Sequence, residues 1–348
     1  MHIQTQSKNK KVGLTEFLAQ NAQVSSIAVF LLVCVVGFSA STDAFLTSNN
    51  LLNLLRQSAP LVIVAVAMTF VITTGGIDLS VGSTLALSNA LVAIVIAQGT
   101  PWPVAVLMVL GVGALIGLMQ GWFIAYEKIP PFIVTLAGLS IFRGIALLMT
   151  EGFSIPIDRG SGFIALGRGW FMGVPIPAIL AIVVVVAGLV TLSQTTFGRH
   201  VIGIGADTES ARRAGISTKR VIIMVYVLAG VAAAFAGVIF AARLASGSSN
   251  AGVGFELEVI AAVVLGGTSL MGGRGSVAGT VLGALTIVVI GNGLILSHVS
   301  PFFTQIVTGL PVLTIEDAET AEIVERISKA RSTTDDSNTF TRSARSVI

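Results

Sequence analysis

Gly75-Gly76-Ile77-Asp78-Leu79-Ser80-Val81-Gly82-Ser83 is the stretch of this chain whose residue types and spacing are most distinctive. Paired glycines break a helix because they take backbone conformations that side chains resist. Asp78 or Ser80 can then cap the next helix by accepting its free N–H groups. Such a capped turn, lying between two apolar runs, serves either as plain structure or as part of a pathway and its gate. A related sequence, Leu265-Gly266-Gly267-Thr268-Ser269-Leu270-Met271-Gly272-Gly273-Arg274-Gly275-Ser276, also joins two apolar runs. Irregular backbone between broken helices recurs at transporter binding sites. Gly266 and Gly267 therefore join Gly75, Gly76, Asp78, Ser80, Gly82 and Ser83 as candidate helix-break and gating residues.

Enzyme chemistry has little to stand on. The chain has no Walker A sequence and no Gly-Lys dipeptide, so it is not expected to hold ATP itself. His2, His200 and His298 are scattered, and Cys34 is the single cysteine, within an apolar run. Neither a metal site nor a redox pair can be assembled from them. No intramembrane series of carboxylates suggests a proton relay. The expectation is a chain without catalytic residues, cofactor or metal.

The elements that must position these residues are apolar helices. Of 348 residues, 54% are hydrophobic and only 11% are charged, with a mean hydropathy of +0.92. Soluble domains carry roughly 25% charged residues, so lipid is the natural solvent here. The net charge of +3 is spread between apolar runs rather than gathered into a patch, which argues against nucleic acid. A bilayer core takes about 20 mostly apolar residues per helix. Runs of this kind are Val24–Ser39, Ala59–Thr74, Leu79–Ala97, Val104–Tyr126, Phe132–Met149, Ile176–Leu192, Val221–Ala242, Glu258–Met271 and Val277–Leu296. Phe302–Thr314 is a tenth, short one. The expected fold is an all-α polytopic membrane helix bundle of nine full spans plus a short tenth. An N-terminal arm (1–23) would precede a transmembrane domain (24–314), with a polar, partly disordered tail (315–348) after it. Arg143 falls inside the fifth run, where pairing or snorkelling is its expected role. Glu256 and Glu258 are expected at the outer end of the eighth.

Basic residues in the loops set the orientation. With the N-terminus cytoplasmic, Lys8, Lys10, Lys11, Lys128, Arg199, Arg212, Arg213, Lys219, Arg220 and Arg274 all lie inside, and only Arg56, Arg159, Arg168 and Arg243 outside. The inside loop Ser193–Arg220 is the most polar stretch before the tail. Thr208–Ile216 within it suits a short helix, capped by Ser or Thr and ended by Gly215, and so offers a docking surface for a soluble partner. Many of the 38 glycines, among them Gly230, Gly237, Gly279, Gly283 and Gly291, are spaced to let helices approach closely.

In order and spacing, several of these pieces resemble the permease subunits of ribose/xylose/arabinose/galactose-type ABC importers, from about Phe45 to Gly309. They are Asn50-Leu51-Leu52-Asn53-Leu54-Leu55-Arg56-Gln57, the Gly75–Ser83 string, Pro130-Pro131-Phe132-Ile133-Val134-Thr135-Leu136, Phe197-Gly198-Arg199, Ala211-Arg212-Arg213-Ala214-Gly215-Ile216 and Ala261–Leu270. The resemblance implies a multi-pass protein of the bacterial plasma membrane that forms the pathway for a monosaccharide. It implies three partners: a cytoplasmic ABC ATPase, a periplasmic or lipoprotein sugar-binding protein and a second permease subunit, identical or not. Arg199, Arg212, Arg213, Gly215 and Ile216 would form the ATPase-coupling loop. A branched-chain amino acid permease of a related ABC class and an ATPase-independent secondary transporter are the alternatives; the Gly-Gly-Ile-Asp-Leu-Ser string favours the sugar group. The C-terminus departs from the family, whose members usually finish with a full apolar span. Here Phe302–Thr314 makes about 20 Å of helix, short of the roughly 30 Å hydrocarbon core, before the acidic run from Glu316.

Overall fold

The computed structural model describes residues 22–299. The short tenth run Phe302–Thr314, the tail 315–348 and nearly all of the N-terminal arm 1–23 lie outside the described residues. The described chain is a polytopic all-α membrane protein. Its long helices are α1 (Ala22–Ser41), α2 (Ser48–Thr73), α3 (Val81–Ala97), α4 (Trp102–Ala125) and α5 (Pro131–Thr150). A loop with three two-residue strands, β1 (Ile155–Pro156), β2 (Trp170–Phe171) and β3 (Val174–Pro175), and the short α6 (Ala165–Arg168) leads to α7 (Ile176–Gln194). There follow α8 (Thr196–Ala206), α9 (Thr208–Arg213), α10 (Thr218–Leu244), β4 (Ser246–Gly247), α11 (Phe255–Leu265) and α12 (Val277–Leu296). Among the described residues, seven helices are long and apolar enough to cross a membrane, and α3 is a shorter apolar one.

Local sequence accounts for several boundaries. Proline opens α4, α5 and α7 in the first turn, where its missing N–H has no intrahelical partner to lose. Thr47 caps α2 by accepting from Asn50 N, so α2 starts well before the apolar run at Ala59. Asn50 and Asn292 exchange side-chain amide hydrogen bonds of 2.9 and 3.1 Å, tying α2 to α12. At the other end of α10, Ala245 takes a left-handed conformation (φ +56°) and turns the chain back.

α2, α3 and α10 form the buried centre, with α4 against α10, α5 against α3, and α7 and α12 against α2. Glycine sets how closely these helices approach. A methyl group at Gly230 of α10 would overlap the Gly113 carbonyl of α4, and one at Gly117 would overlap the Tyr226 carbonyl. Gly237 sits equally tight against α3, and Gly279 and Gly283 against Gly266 and Ala262. Gly291, by contrast, faces open space.

The eighth apolar run takes a form that its composition conceals. Glu258–Met271 is not one span: α11 has 11 residues, about 16 Å at ~1.5 Å per residue, and ends before the pair Gly266-Gly267. Gly267 requires a positive φ of +82°, so the helix stops although the hydropathy continues. Ahead of α11 the chain is not helical either. β4 pairs antiparallel with β1, and the segment then runs back into the bundle along α3. Gly247 lies against Asn89 and Ala93, Gly252 against Leu85, and Glu256 against Gly82. Glu256 therefore stands inside the bundle beside the start of α3, not at an outer helix end.

If glycine contact sets the α4–α10 spacing, filling it must cost stability. Gly230→Ala is expected to destabilise by about 1–3 kcal/mol, the usual range for overpacking, and to lower the melting temperature of the detergent-purified protein. Gly111→Ala, on the same helix pair but with nothing within 4 Å, is the control and should leave it unchanged or raised.

Candidate functional site

The turn between α2 and α3 is built from a buried polar chain. Gly75 adopts φ +79°, and Gly76 sits so close to the Tyr226 hydroxyl that a side chain there would meet it. Asp78 and Ser80 are both buried. Asp78 Oδ1 accepts from Ser80 N at 2.8 Å and from Ser80 Oγ at 2.7 Å, and Gln120 Nε2 of α4 donates to Ser80 Oγ at 2.7 Å. The Tyr226 hydroxyl donates to Ile77 O at 3.3 Å, and Thr135 of α5 lies at the same distance from that carbonyl. Ser80 occupies the cap position of α3 without a side-chain cap bond. Asp78 therefore fixes the residue that precedes the helix, and does not cap the helix itself. Gly82 is closed in by Gly252 O and the Glu256 carboxylate, and Ser83 Oγ donates to Ser80 O at 2.9 Å.

The second glycine-rich turn meets the first. Gly273 N donates to Thr73 O at 2.9 Å. Gly272 (φ +82°) lies against Gly75 N and Gly205, and Gly275 against the Thr73 side chain. Gly266 does not reach this junction: it packs on Gly279 and Thr280 of α12. The third member of the junction is the end of α8, where a methyl at Gly205 would overlap Thr73 O and Gly273 N. Two turns legible as glycine strings are thus joined to a helix, α8, within the segment 193–220 expected to be mostly loop. Its signal was present: Thr195 caps α8 by accepting from Gly198 N, and Val201 and Ile204 supply a buried face.

α9 continues from this junction as the short helix expected after residue 207. Its cap is Asp207, which accepts from Glu209 N at 3.0 Å, rather than a serine or threonine. Hydrogen bonds from Ser210 and the Glu209 N–H hold the Asp207 carboxyl below the usual range. Those from Arg212 and Arg213 lower Glu209 likewise. Arg199, Arg212, Arg213 and Gly215 are exposed and Ile216 is half-buried. Gly215 ends the loop's helix with φ +83°. Phe197, His200, Gly215, Ile216, Arg220 and Met224 line a cavity of about 440 Å³ beside α9.

Arg143 has a more definite part than snorkelling. Its guanidinium donates to three carbonyls of the re-entrant segment: Ser249 at 2.7 Å, Ala251 at 2.8 Å and Gly252 at 3.2 Å. Asn89 receives Ser248 N at 2.6 Å and donates to Gly237 O at 3.1 Å. Sequence reasoning missed this segment, although Gly247, Gly252 and Gly254 marked it. No group of acidic, histidine or cysteine residues suited to a metal ion occurs among the described residues.

Interrupted helices, apolar spans and a folded polar loop define a multi-pass membrane protein with the architecture of a transporter. The comparison with known proteins sharpens this. Residues 50–315 match the family described as branched-chain amino acid transport system / permease component, and the chain belongs to that family. It is 46% identical to the ribose import permease protein of Bacillus subtilis, over 82% of this chain and 89% of that one. It is 40% identical to the ribose import permease protein of Escherichia coli, over 84% and 91% respectively. To the xylose transport system permease protein of Escherichia coli it is 35% identical, over 86% and 92%. No solved structure matches the chain.

The geometry of Asp78 predicts an asymmetry between two substitutions. Asp78→Asn keeps the Oδ1 acceptor and is expected to melt close to the parent in detergent. Asp78→Ala leaves the buried Ser80 N–H without its acceptor, at a cost of about 1–3 kcal/mol, and should melt lower.

Proposed function

We propose that this chain is the permease subunit of an ABC importer and forms the pathway for a monosaccharide such as a pentose. The observation that carries the reading is the 46% identity to a ribose import permease across 82% of the chain, with a xylose permease similarly covered. The proposed setting is the bacterial plasma membrane, with a cytoplasmic N-terminus, transmembrane domain 24–314 and polar tail 315–348. In this setting α3 and α11, with its re-entrant segment, count with the seven long helices as the nine elements of the bundle. ATP is bound and hydrolysed by a separate cytoplasmic ATPase. A sugar-binding protein delivers substrate, and a second permease subunit completes the pathway.

Within that assembly, the loop holding Arg199, Arg212, Arg213, Gly215 and Ile216 couples to the ATPase. Its exposed arginines and the neighbouring cavity suit an acidic or apolar element of a soluble partner. The junction of Thr73, Gly205 and Gly273 supports a further step. Movement of the loop would reach the Gly75–Ser83 turn through direct backbone contact, making that turn a gating element, with the helix break at Gly266 and Gly267 as a separate candidate on α11.

Reconstitution tests the function. The chain alone in liposomes is expected to show no concentrative uptake of ribose or xylose; adding its ATPase, binding protein and ATP should produce it. Concentrative uptake without the ATPase would overturn the reading. Uptake of leucine in place of sugar would favour the branched-chain substrate class that the family's description names.

The coupling surface has its own test. Replacing Arg212 and Arg213 with Glu is expected to lower co-purification of the ATPase at least tenfold, with membrane insertion unchanged. Undiminished co-purification and uptake would place the contact elsewhere.

A further inference from the structure

α11 carries a carboxylate where lipid would reject one. Its register on α12 is fixed by close contacts: Ala262 lies opposite Gly283, and Gly266 opposite Gly279 and Thr280. The two helices therefore run antiparallel, and Glu258, one turn before Ala262, falls level with about Ile287. That is the middle of α12, a 20-residue helix spanning Val277–Leu296. The start of α11 is placed at similar depth by a second contact: the re-entrant segment just ahead of it is held by Arg143, the thirteenth residue of the 20-residue α5. Glu258 is thus level with the middle of α12.

Glu258 is also exposed, and so are its neighbours Leu257, at 64%, and Val253, at 74%. Exposed apolar residues at this depth are unremarkable in lipid. An exposed carboxylate is not: an acidic residue at the centre of a span costs about 2.5–3.5 kcal/mol on insertion scales, and such residues face a bundle interior or water-filled cavity. Among the described residues no salt bridge involves Glu258. A face that offers a carboxylate among apolar side chains has the chemistry of a sugar contact: C–H surfaces rest on Leu257 and Val253 while hydroxyls donate to the charged acceptor.

We infer that the exposed Val253–Glu258 stretch, the turn into α11 and its first residues, lines the aqueous pathway and that Glu258 accepts hydrogen bonds from the hydroxyls of the passing substrate. The first half of the statement needs only the depth and exposure of Glu258. The second rests on the sugar reading proposed above.

Cys34 is the only cysteine, so a single Cys34→Ala change gives a background for accessibility measurements. In inverted and right-side-out membrane vesicles carrying the full chain with its ATPase, Glu258→Cys is expected to react with a charged, membrane-impermeant methanethiosulfonate at least tenfold faster than Leu115→Cys. Leu115 is a mid-helix residue of α4, exposed at 63% and so comparable with Leu257 at 64%. Leu257→Cys provides the same reading if Glu258→Cys inserts poorly. Reaction no faster than at Leu115 from either side would overturn the inference and place this face against lipid or a second copy. In uptake assays with ribose and xylose, Glu258→Leu should lower the initial rate roughly tenfold or more, as loss of a hydrogen bond to a charged group does, and Glu258→Gln less. Parental uptake by a well-inserted Glu258→Leu variant would overturn the hydroxyl contact. Labelling requires no transport. Fast reaction at 258 in a chain that imports no sugar would count against the proposed function while supporting the water-lined face.

Discussion

The constraint on which the rest of this structure depends is the obligation to satisfy backbone N–H and C=O groups where no water reaches them. Helices do this internally, and most of the chain takes that solution. Among the described residues, the exceptions include the turn at residues 74–80 and the re-entrant segment 246–254. Each is held by side chains sent from neighbouring helices. Tyr226 and Gln120 serve the first, and Arg143 and Asn89 the second. Arg143 is instructive because one guanidinium answers three carbonyls, a task its fork of donors performs and a lysine ammonium could not reproduce with the same geometry. The charge that looks costly in the middle of α5 replaces hydrogen bonds which would otherwise be missing.

Glycine is the second organising fact. Where α4 meets α10 and α11 meets α12, backbones touch, because a methyl group on either side would overlap a carbonyl. Such contact maximises dispersion between helices in a solvent that supplies no hydrophobic drive for their association. It also serves the junction of Thr73, Gly205 and Gly273, where a cytoplasm-facing helix, in the proposed orientation, bears directly on both broken-helix turns.

The all-α membrane character could be read from composition, and most long helices from their apolar runs, since lipid imposes a coarse and continuous requirement. The charged loop between α7 and α10 was also legible, as was the helix ended by Gly215. What was not legible depended on contacts between distant residues. Glu258–Met271 reads as one apolar run, yet Gly266 and Gly267 end α11 in its midst, because hydropathy averages over glycine while helix geometry does not. Ser246–Gly254 carries no periodicity, and its path along α3 is set by Asn89 and Arg143, which lie far away in sequence. Asp78 reads as a turn residue, but that it serves Ser80 rather than the helix after it is visible only in the fold. Asp207, one residue before the expected start of α9, took the cap that serine or threonine was expected to fill.

The meeting of Gly205 with Thr73 and Gly273 has a consequence at the level of the gene. Any missense change in a glycine codon adds atoms; no replacement is smaller. At an ordinary buried leucine, drift can proceed through valine, isoleucine or methionine, with small gains and losses that neighbours absorb. At Gly205 such intermediates do not exist, since even the first added carbon would occupy the space of a carbonyl oxygen and an amide nitrogen. The junction is therefore a position without a gradient. A lineage keeps the glycine, or it changes two backbones at once.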